Sequence, residues 1–228
     1  MKKKLLAGVV LGGLALAGAA YGAVAKFHVA QAGTYDPAKT FLVGADWQSG
    51  IGCPTHSKVA TYPSTTPTGA YTDPACKTGD VNDKQNTGLV LAKTGPTSNN
   101  AESFVELKDL KGVTPTELGY DLLKPGGSGS PMFQLEMQNG DVYYVGRNSP
   151  APDSQTTGNG WLRLRWGGST PLQGYLNGLT LQPVTGKIKR ALIVLQDGQD
   201  PSTPDYNGLA VLDNIDVNGT LVGQGAGN

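Results

Sequence analysis

A chain of 228 residues with 18 Lys and Arg against 18 Asp and Glu has a formal net charge of zero, and no stretch of it concentrates basic residues as a nucleic-acid binder would. Its 33 Gly and 15 Pro leave little room for long helices and point to short elements divided by turns.

In chain order, the first element is MKKKLLAGVVLGGLALAGAAYGAVAKF: three lysines, an apolar Leu/Ala/Gly/Val run, then Ala23-Val24-Ala25 ahead of Lys26. This is the three-part layout of an export signal. A retained anchor needs about 20 strongly apolar residues. This run is Gly-rich instead, and A-x-A tripeptides follow it at Ala23 to Ala25 and at Ala30 to Ala32. No Cys follows the run to accept lipid and no twin Arg precedes it. The expected product is a secreted protein with no membrane attachment once residues 1–25 are removed. Loss of Lys2, Lys3 and Lys4 then shifts the formal charge to about −3. Residues 26–39 read as an N-terminal arm, 40–222 as one β-sandwich domain and 223–228 as a flexible tail.

From Thr40 onward the chain repeats short β-favouring runs: TFLVGA, KVATY, GLVLAK, SFVELK, ELGYDLL, MFQLEMQ, DVYYVGR, WLRLRW, GLTLQP, RALIVLQD and LAVLDNIDVN. Only Pro171 to Leu176 suggests a turn or two of helix. MFQLEMQ and DVYYVGR join through Asn139-Gly140, a pair suited to the two positive φ values of a type I′ hairpin turn. Alternation turns Phe133, Leu135 and Met137 inward and leaves Gln134, Glu136 and Gln138 to solvent. So many short strands in one domain predict an all-β fold, a two-sheet antiparallel sandwich of jelly-roll type.

Ile51 to Asn86 is rich in Thr, Pro, Asp and Lys and reads as a long surface excursion. It holds both cysteines. In an oxidising compartment Cys53 and Cys76 are expected to pair, closing a loop of ~24 residues and contributing roughly 3 kcal/mol. A thiol or metal role would have only His56 for company.

The stretches TFLVGADWQSGIGCP, AYTDPACKTGD, ELGYDLLKPGGSGSPMFQLEMQNGDVYYVG and GLAVLDNIDVNG resemble a group of secreted proteins from Gram-positive and related bacteria, over most of residues 40–222. Where that group usually reads G-x-P-R-F, this chain has GSPMFQ, so Met132 stands in place of a common Arg. The closing strand is similar to the last strand of β-jelly-roll, galactose-binding-like carbohydrate-binding modules. There an acidic residue near this position often binds structural calcium away from the sugar. The resemblance implies that role for Asp213 or Asp216, and carbohydrate as the ligand class.

Asp213 is the odd residue of its strand. Alternation places Leu209, Val211, Asp213, Ile215 and Val217 on one face, and a bare carboxylate in an apolar layer is too costly to persist. Three readings stay open: acceptance of backbone N–H bonds near a bulge or strand end, calcium ligation, or a pair with an inward Arg such as Arg190. Asp197, Asp200 and Asp205 crowd a Pro/Gly-rich loop that reads either as a solvated turn or as a calcium loop, without the EF-hand pattern.

GWLRLRW is the candidate binding strand. Leu162, Leu164 and Trp166 form its core face, which leaves Trp161, Arg163 and Arg165 outward as a surface able to stack on sugar rings and bond their hydroxyls. Whichever of Tyr143 and Tyr144 points outward would extend it. The competing reading makes Trp161 an edge cover and pairs the arginines with neighbouring acids.

Chemistry is thinly signalled. The two histidines are His28 and His56, GGSGSP lacks the G-x-S-x-G spacing, and no H-E-x-x-H occurs. A glycosidase needs two facing carboxylates, and cross-strand pairs among Glu102, Glu106, Glu117 and Glu136 are invisible in a sequence. The reading favoured is a secreted, non-catalytic, carbohydrate-binding-like protein. A structural or cell-surface protein with a protein partner and a polysaccharide hydrolase or lyase are the alternatives.

Overall fold

The computed structural model describes residues 27–37, 39–53, 87–95, 101–127, 130–146, 149–150, 153–158, 161–196 and 208–223. Among them there are fourteen strands and no helix. In chain order these are β1 (Phe27–Tyr35), β2 (Val43–Gln48), β3 (Gly88–Lys93), β4 (Glu102–Leu107), β5 (Glu117–Gly127), β6 (Met132–Met137) and β7 (Val142–Gly146). They continue with β8 (Asp153–Gly158), β9 (Trp161–Gly167), β10 (Gln173–Leu176), β11 (Thr180–Pro183), β12 (Ile188–Gln196), β13 (Gly208–Val217) and β14 (Thr220–Gly223).

The strands form two antiparallel sheets. Sheet I runs β1-β4-β12-β6-β7-β10-β11. Sheet II runs β2-β3-β13-β5-β9-β8. β14 folds back on β13, and the first residues of β1 pair in parallel with β14, so one short ladder ties the sheets together. Eight strands carry the topology. β3-β13-β5-β9 and β4-β12-β6-β7 face each other, and the chain crosses between sheets at each step except β6 to β7. That is the double Greek key of a jelly roll.

The core lies between the sheets and follows the period of two. Sheet I contributes Val105 and Leu107, Phe133, Leu135 and Met137, and Ala191, Ile193 and Leu195. Sheet II contributes Leu89 and Leu91, Leu118, Tyr120 and Leu122, Leu164 and Trp166, and Leu212. At its centre the Trp166 ring meets Tyr120 and Phe133 edge-on, at 5.2 and 6.1 Å between centroids. The Tyr120 hydroxyl donates to the Pro131 carbonyl at 2.8 Å, which satisfies the one polar atom of that ring. Burial pushes its phenol far above the usual range.

Four strands escape the sequence reading. β1 occupies the segment read as an arm and includes His28; β8, β10 and β14 are short or polar. Pro171 to Leu176 yields β10 rather than helix, because Gly174 packs flat on β7: a Cβ there would stand 2.9 Å from Val145 Cγ2. The first expected strand, Thr40 to Ala45, begins late, at Val43. Asp36 gathers the preceding turn by accepting the Phe41 N–H at 2.7 Å and the Thr40 hydroxyl at 3.1 Å, with Lys39 and Phe41 at positive φ. KVATY lies outside the described residues.

The β6–β7 hairpin forms in the expected register, with a different turn. Met137 and Asp141 bracket a three-residue loop, and only Gly140 (φ 94°) has positive φ. This is a type I turn closed by a left-handed glycine rather than a type I′ turn. The Asn139 side-chain amide donates to the Asp141 carboxylate and its oxygen accepts the Asp141 N–H, which holds the loop without a second positive φ.

Trp166→Ala removes the ring that both sheets share and should cost about 3–5 kcal/mol in chemical denaturation. A cost near 1 kcal/mol would place the centre of the core elsewhere.

Candidate functional site

Each sheet has an outer face, and the two differ in chemistry. On sheet II, β9 turns Trp161, Arg163 and Arg165 away from the core as the alternation requires, but all three are buried, with Arg163 wholly inaccessible. The expected solvent-facing platform is therefore corrected to an internal charge network. Arg163 bonds Asp216 through Nη2, lies 3.5 Å from Asp121 Oδ1 and donates to the Asn214 carbonyl at 2.8 Å. Arg165 bonds Glu117, and Asn214 Nδ2 donates to Asp121 at 2.7 Å. Trp161 packs with Cys53 and Val211 in a small apolar cluster beside these charges.

Register explains the network. β5 sets Asp121 opposite Arg163 and Gly119 opposite Arg165. β13 sets Asp216 opposite Gly119. A Cβ on residue 119 would stand 2.5 Å from the Asp216 carboxylate and 2.6 Å from Arg163 Nη2, so glycine supplies the space in which the ion pair sits. Burial pushes the Asp216 carboxyl above the usual carboxylate range, and the Arg163 guanidinium opposes that shift.

Asp213 follows from the same place. Between Asp213 and Asp216 β13 carries a bulge against β5, with Asn214 at φ 47°. The bulge reverses the alternation: Ala210 and Leu212 face the core before it, Ile215 and Val217 after it. Asp213 thus lies on the outer face and never enters the apolar layer. Its carboxylate accepts the backbone N–H of Cys53 and of Asn214, both at 2.6 Å. These are the backbone bonds of the first reading, and the proposed partner Arg190 lies on the other sheet. Asp213 thus faces backbone N–H donors, and Asp216 faces the Arg163 guanidinium. Among the described residues no three His, Cys, Asp or Glu converge on one metal position. Asp197 and Asp200 lie outside the described residues, as do Cys76 and His56; Cys53 is fully buried.

The outer face of sheet I is the open one. Tyr143 and Tyr144 separate there: Tyr143 points into the core, while Tyr144 is outward and half-buried. Neither joins Trp161, which belongs to the other sheet. Successive backbone partners place Leu181, Tyr175, Tyr144, Gln134, Leu192 and Glu106 in one row across six strands. At about 4.8 Å per strand the row is ~24 Å long. Buried Leu192 forms its floor. Alongside it, Arg190 on β12 reaches Glu136 on β6 at 3.3 Å and Glu106 on β4 at 3.4 Å, while Lys108 bonds Glu106 at 2.7 Å. At the β1 edge Tyr35 lies opposite Glu102 and is 52% exposed. The Phe104 ring rests over Gly33, where a Cβ would come within 2.7 Å of it.

Burial, with Glu102 and Glu136 nearby, pushes the Tyr144 phenol up, so it stays a neutral donor and acceptor well above neutral pH. Burial alone would raise the Glu106 carboxyl, but Lys108 and Arg190 outweigh it and hold the group below its ordinary value. Sequence reasoning named Tyr144 but missed its neighbours for two reasons. Tyr175 sits in a strand read as helix, and the Glu106–Arg190–Glu136 triad spans three strands whose order only the fold provides.

No protein-family model matches the sequence, and no curated protein matches it. Among solved structures, similar ones include a family 11 carbohydrate-binding module from Clostridium thermocellum in complex with a β-1,3-1,4-mixed-linked tetrasaccharide, at TM-score 0.41 and 14% identity, covering 85% of this chain and 90% of that one. A second is the family 11 module of the cellulosomal cellulase Lic26A-Cel5E of Clostridium thermocellum, at TM-score 0.38 and 15% identity over 88% and 99% of the two chains. A third is the enzymatically active domain of bacteriophage CBA120 tailspike protein 4, at TM-score 0.37 and 13% identity over 81% of this chain and 18% of that one. These likenesses concern the arrangement of strands and transfer no residue role.

Arg163→Ala strands Asp216 and Asp121 in a buried layer and should cost about 3–5 kcal/mol at pH 7. Without the guanidinium the folded-state Asp216 carboxyl, already raised by burial, moves further above its unfolded value. The penalty therefore shrinks as pH falls toward the ordinary aspartate value of about 3.9, disappears only below it where folded and unfolded states are both protonated, and grows as pH rises. Denaturant midpoints of variant and wild type at pH 4, 5.5 and 7 check this, and a pH-independent gap would mean the carboxylates have other charge partners. Gly119→Ala should be similarly damaging, although alanine suits a strand better than glycine.

Proposed function

We propose that the protein is a secreted, non-catalytic carbohydrate-binding protein whose ligand lies along the outer face of sheet I. The observation that carries this reading is the row of Tyr175, Tyr144 and Gln134 beside the Glu106–Arg190–Glu136 triad. Tyrosine rings offer apolar faces to the C–H side of a pyranose. Carboxylates and guanidinium hold fixed acceptors and donors for its hydroxyls. Arg190 locks both carboxylates from the centre, so little side-chain freedom is lost on binding.

The same geometry disfavours hydrolysis. Glu106 and Glu136 flank one strand and face a common partner, but a general acid needs a raised pKa. The Glu106 carboxyl is shifted the opposite way by Lys108 and Arg190.

Tyr144→Ala and Tyr175→Ala should each weaken binding to a soluble oligosaccharide about tenfold, the loss of ~1.4 kcal/mol of ring contact, with folding intact because both rings lie outside the core. Calorimetry against a panel of soluble oligosaccharides checks it. Trp161→Ala should instead lower stability. Binding that survives both tyrosine changes would put the ligand on another surface, and self-association without glycan binding would favour the structural alternative.

A further inference from the structure

An asparagine followed by glycine is prone to lose its side-chain amide, because a residue without Cβ leaves its backbone nitrogen open to the carbonyl carbon before it. The chain has such pairs at Asn139, Asn159, Asn177, Asn207 and Asn218. Asn159 and Asn207 lie outside the described residues. We propose that Asn177 is a site of spontaneous deamidation and that Asn218, in the same kind of turn, is protected from it.

The two pairs share a backbone. Asn177 and Gly178 join β10 to β11 at φ 50° and 74°, and Asn218 and Gly219 join β13 to β14 at φ 53° and 73°. Two positive φ values in a hairpin connection are the type I′ geometry. What differs is the asparagine side chain. The Asn218 oxygen accepts the Thr116 N–H at 2.7 Å, the Thr116 hydroxyl at 3.1 Å and the Glu117 N–H at 3.2 Å, and its amide donates to the Thr114 carbonyl at 3.0 Å. These bonds hold the group against the start of β5. Asn177 is exposed, and its side chain makes no hydrogen bond among the described residues. Its neighbour is lightly held as well, since the Gly178 N–H reaches the Tyr175 carbonyl at 3.3 Å. Asn139 falls between them: it is exposed, but both ends of its amide bond Asp141.

In the reaction the Gly178 nitrogen attacks the Asn177 side-chain carbonyl carbon and gives up its proton. A C–N bond closes a succinimide ring and the side-chain amide leaves as ammonia. Water then opens the ring at either carbonyl, giving aspartate or isoaspartate. Isoaspartate routes the main chain through Cβ and so adds a carbon to a turn that sets Leu176 opposite Thr180 and Tyr175 opposite Leu181. Tyr175 and Leu181 belong to the row on the outer face of sheet I, so the modification should weaken glycan binding. That consequence rests on the proposed function of the row; the modification itself does not.

The full chain is held at mildly alkaline pH and physiological temperature, and samples taken over time are digested and mapped by mass spectrometry with detection of isoaspartate. The Asn177 peptide should convert about tenfold faster than the Asn218 peptide or more, because freeing the second side chain requires several hydrogen bonds to break first. In denaturant the two rates should converge. Equal rates in the folded protein, or an equally large difference in denaturant, overturn the assignment. Fresh and aged samples are then titrated with soluble oligosaccharide. Weaker binding after conversion is expected, and unchanged binding overturns the consequence while the modification site stands. Fresh protein that binds no oligosaccharide overturns the functional reading and leaves the site standing.

Discussion

Everything on sheet II is arranged around one ion pair, Arg163 with Asp216, in a layer closed to solvent. Two charges out of water are tolerated only when geometry and further hydrogen bonds compensate the lost hydration. Here three strands meet that demand together. β9 brings the guanidinium, β5 brings Asp121 and the open space at Gly119, and β13 brings Asp216 and the Asn214 carbonyl. The bulge in β13 is what lets the last two reach the same arginine. Without the extra residue, Asp216 would point into the apolar core beside Leu118 and Trp166.

A buried pair of this kind adds little net stability over a well-packed apolar substitute, yet breaking one side of it is expensive. Its effect is to fix register. A one-residue slip of β5, β9 or β13 would turn every side chain of the strand to the opposite face, stranding charges in the core and leucines among charges. Asn214 reinforces the lock by serving three partners at once: its N–H donates to Asp213, its amide to Asp121, and its carbonyl accepts Arg163.

The two outer faces thereby divide the work. Sheet II is closed and holds its charges internally. Sheet I stays accessible, and its charges are arranged in a line across β4, β12 and β6 at distances typical of partly solvated pairs. Such exposed pairs contribute little to stability. Their consequence is positional, because Arg190 keeps Glu106 and Glu136 oriented beside the tyrosines.

The amino-acid sequence by itself determined the all-β class, the inward set Phe133, Leu135, Met137 and the core face Leu162, Leu164, Trp166 of β9, because a period of two is a local property that each strand carries alone. It also raised the anomaly of Asp213, though it placed that residue on the wrong face. A bulge changes phase through one left-handed Asn, and nothing in LAVLDNIDVN distinguishes that from a continuous strand. Which outward residues meet solvent was decided only by tertiary structure. Trp161, Arg163 and Arg165 read as an exposed platform from their alternation, but exposure depends on what packs over a strand, and that information lies far away in the chain. The same holds for Glu106, Glu136 and Arg190, distant in sequence and brought together because β12 inserts between β4 and β6. Local pattern fixes which way a side chain points; the order of strands fixes what it meets.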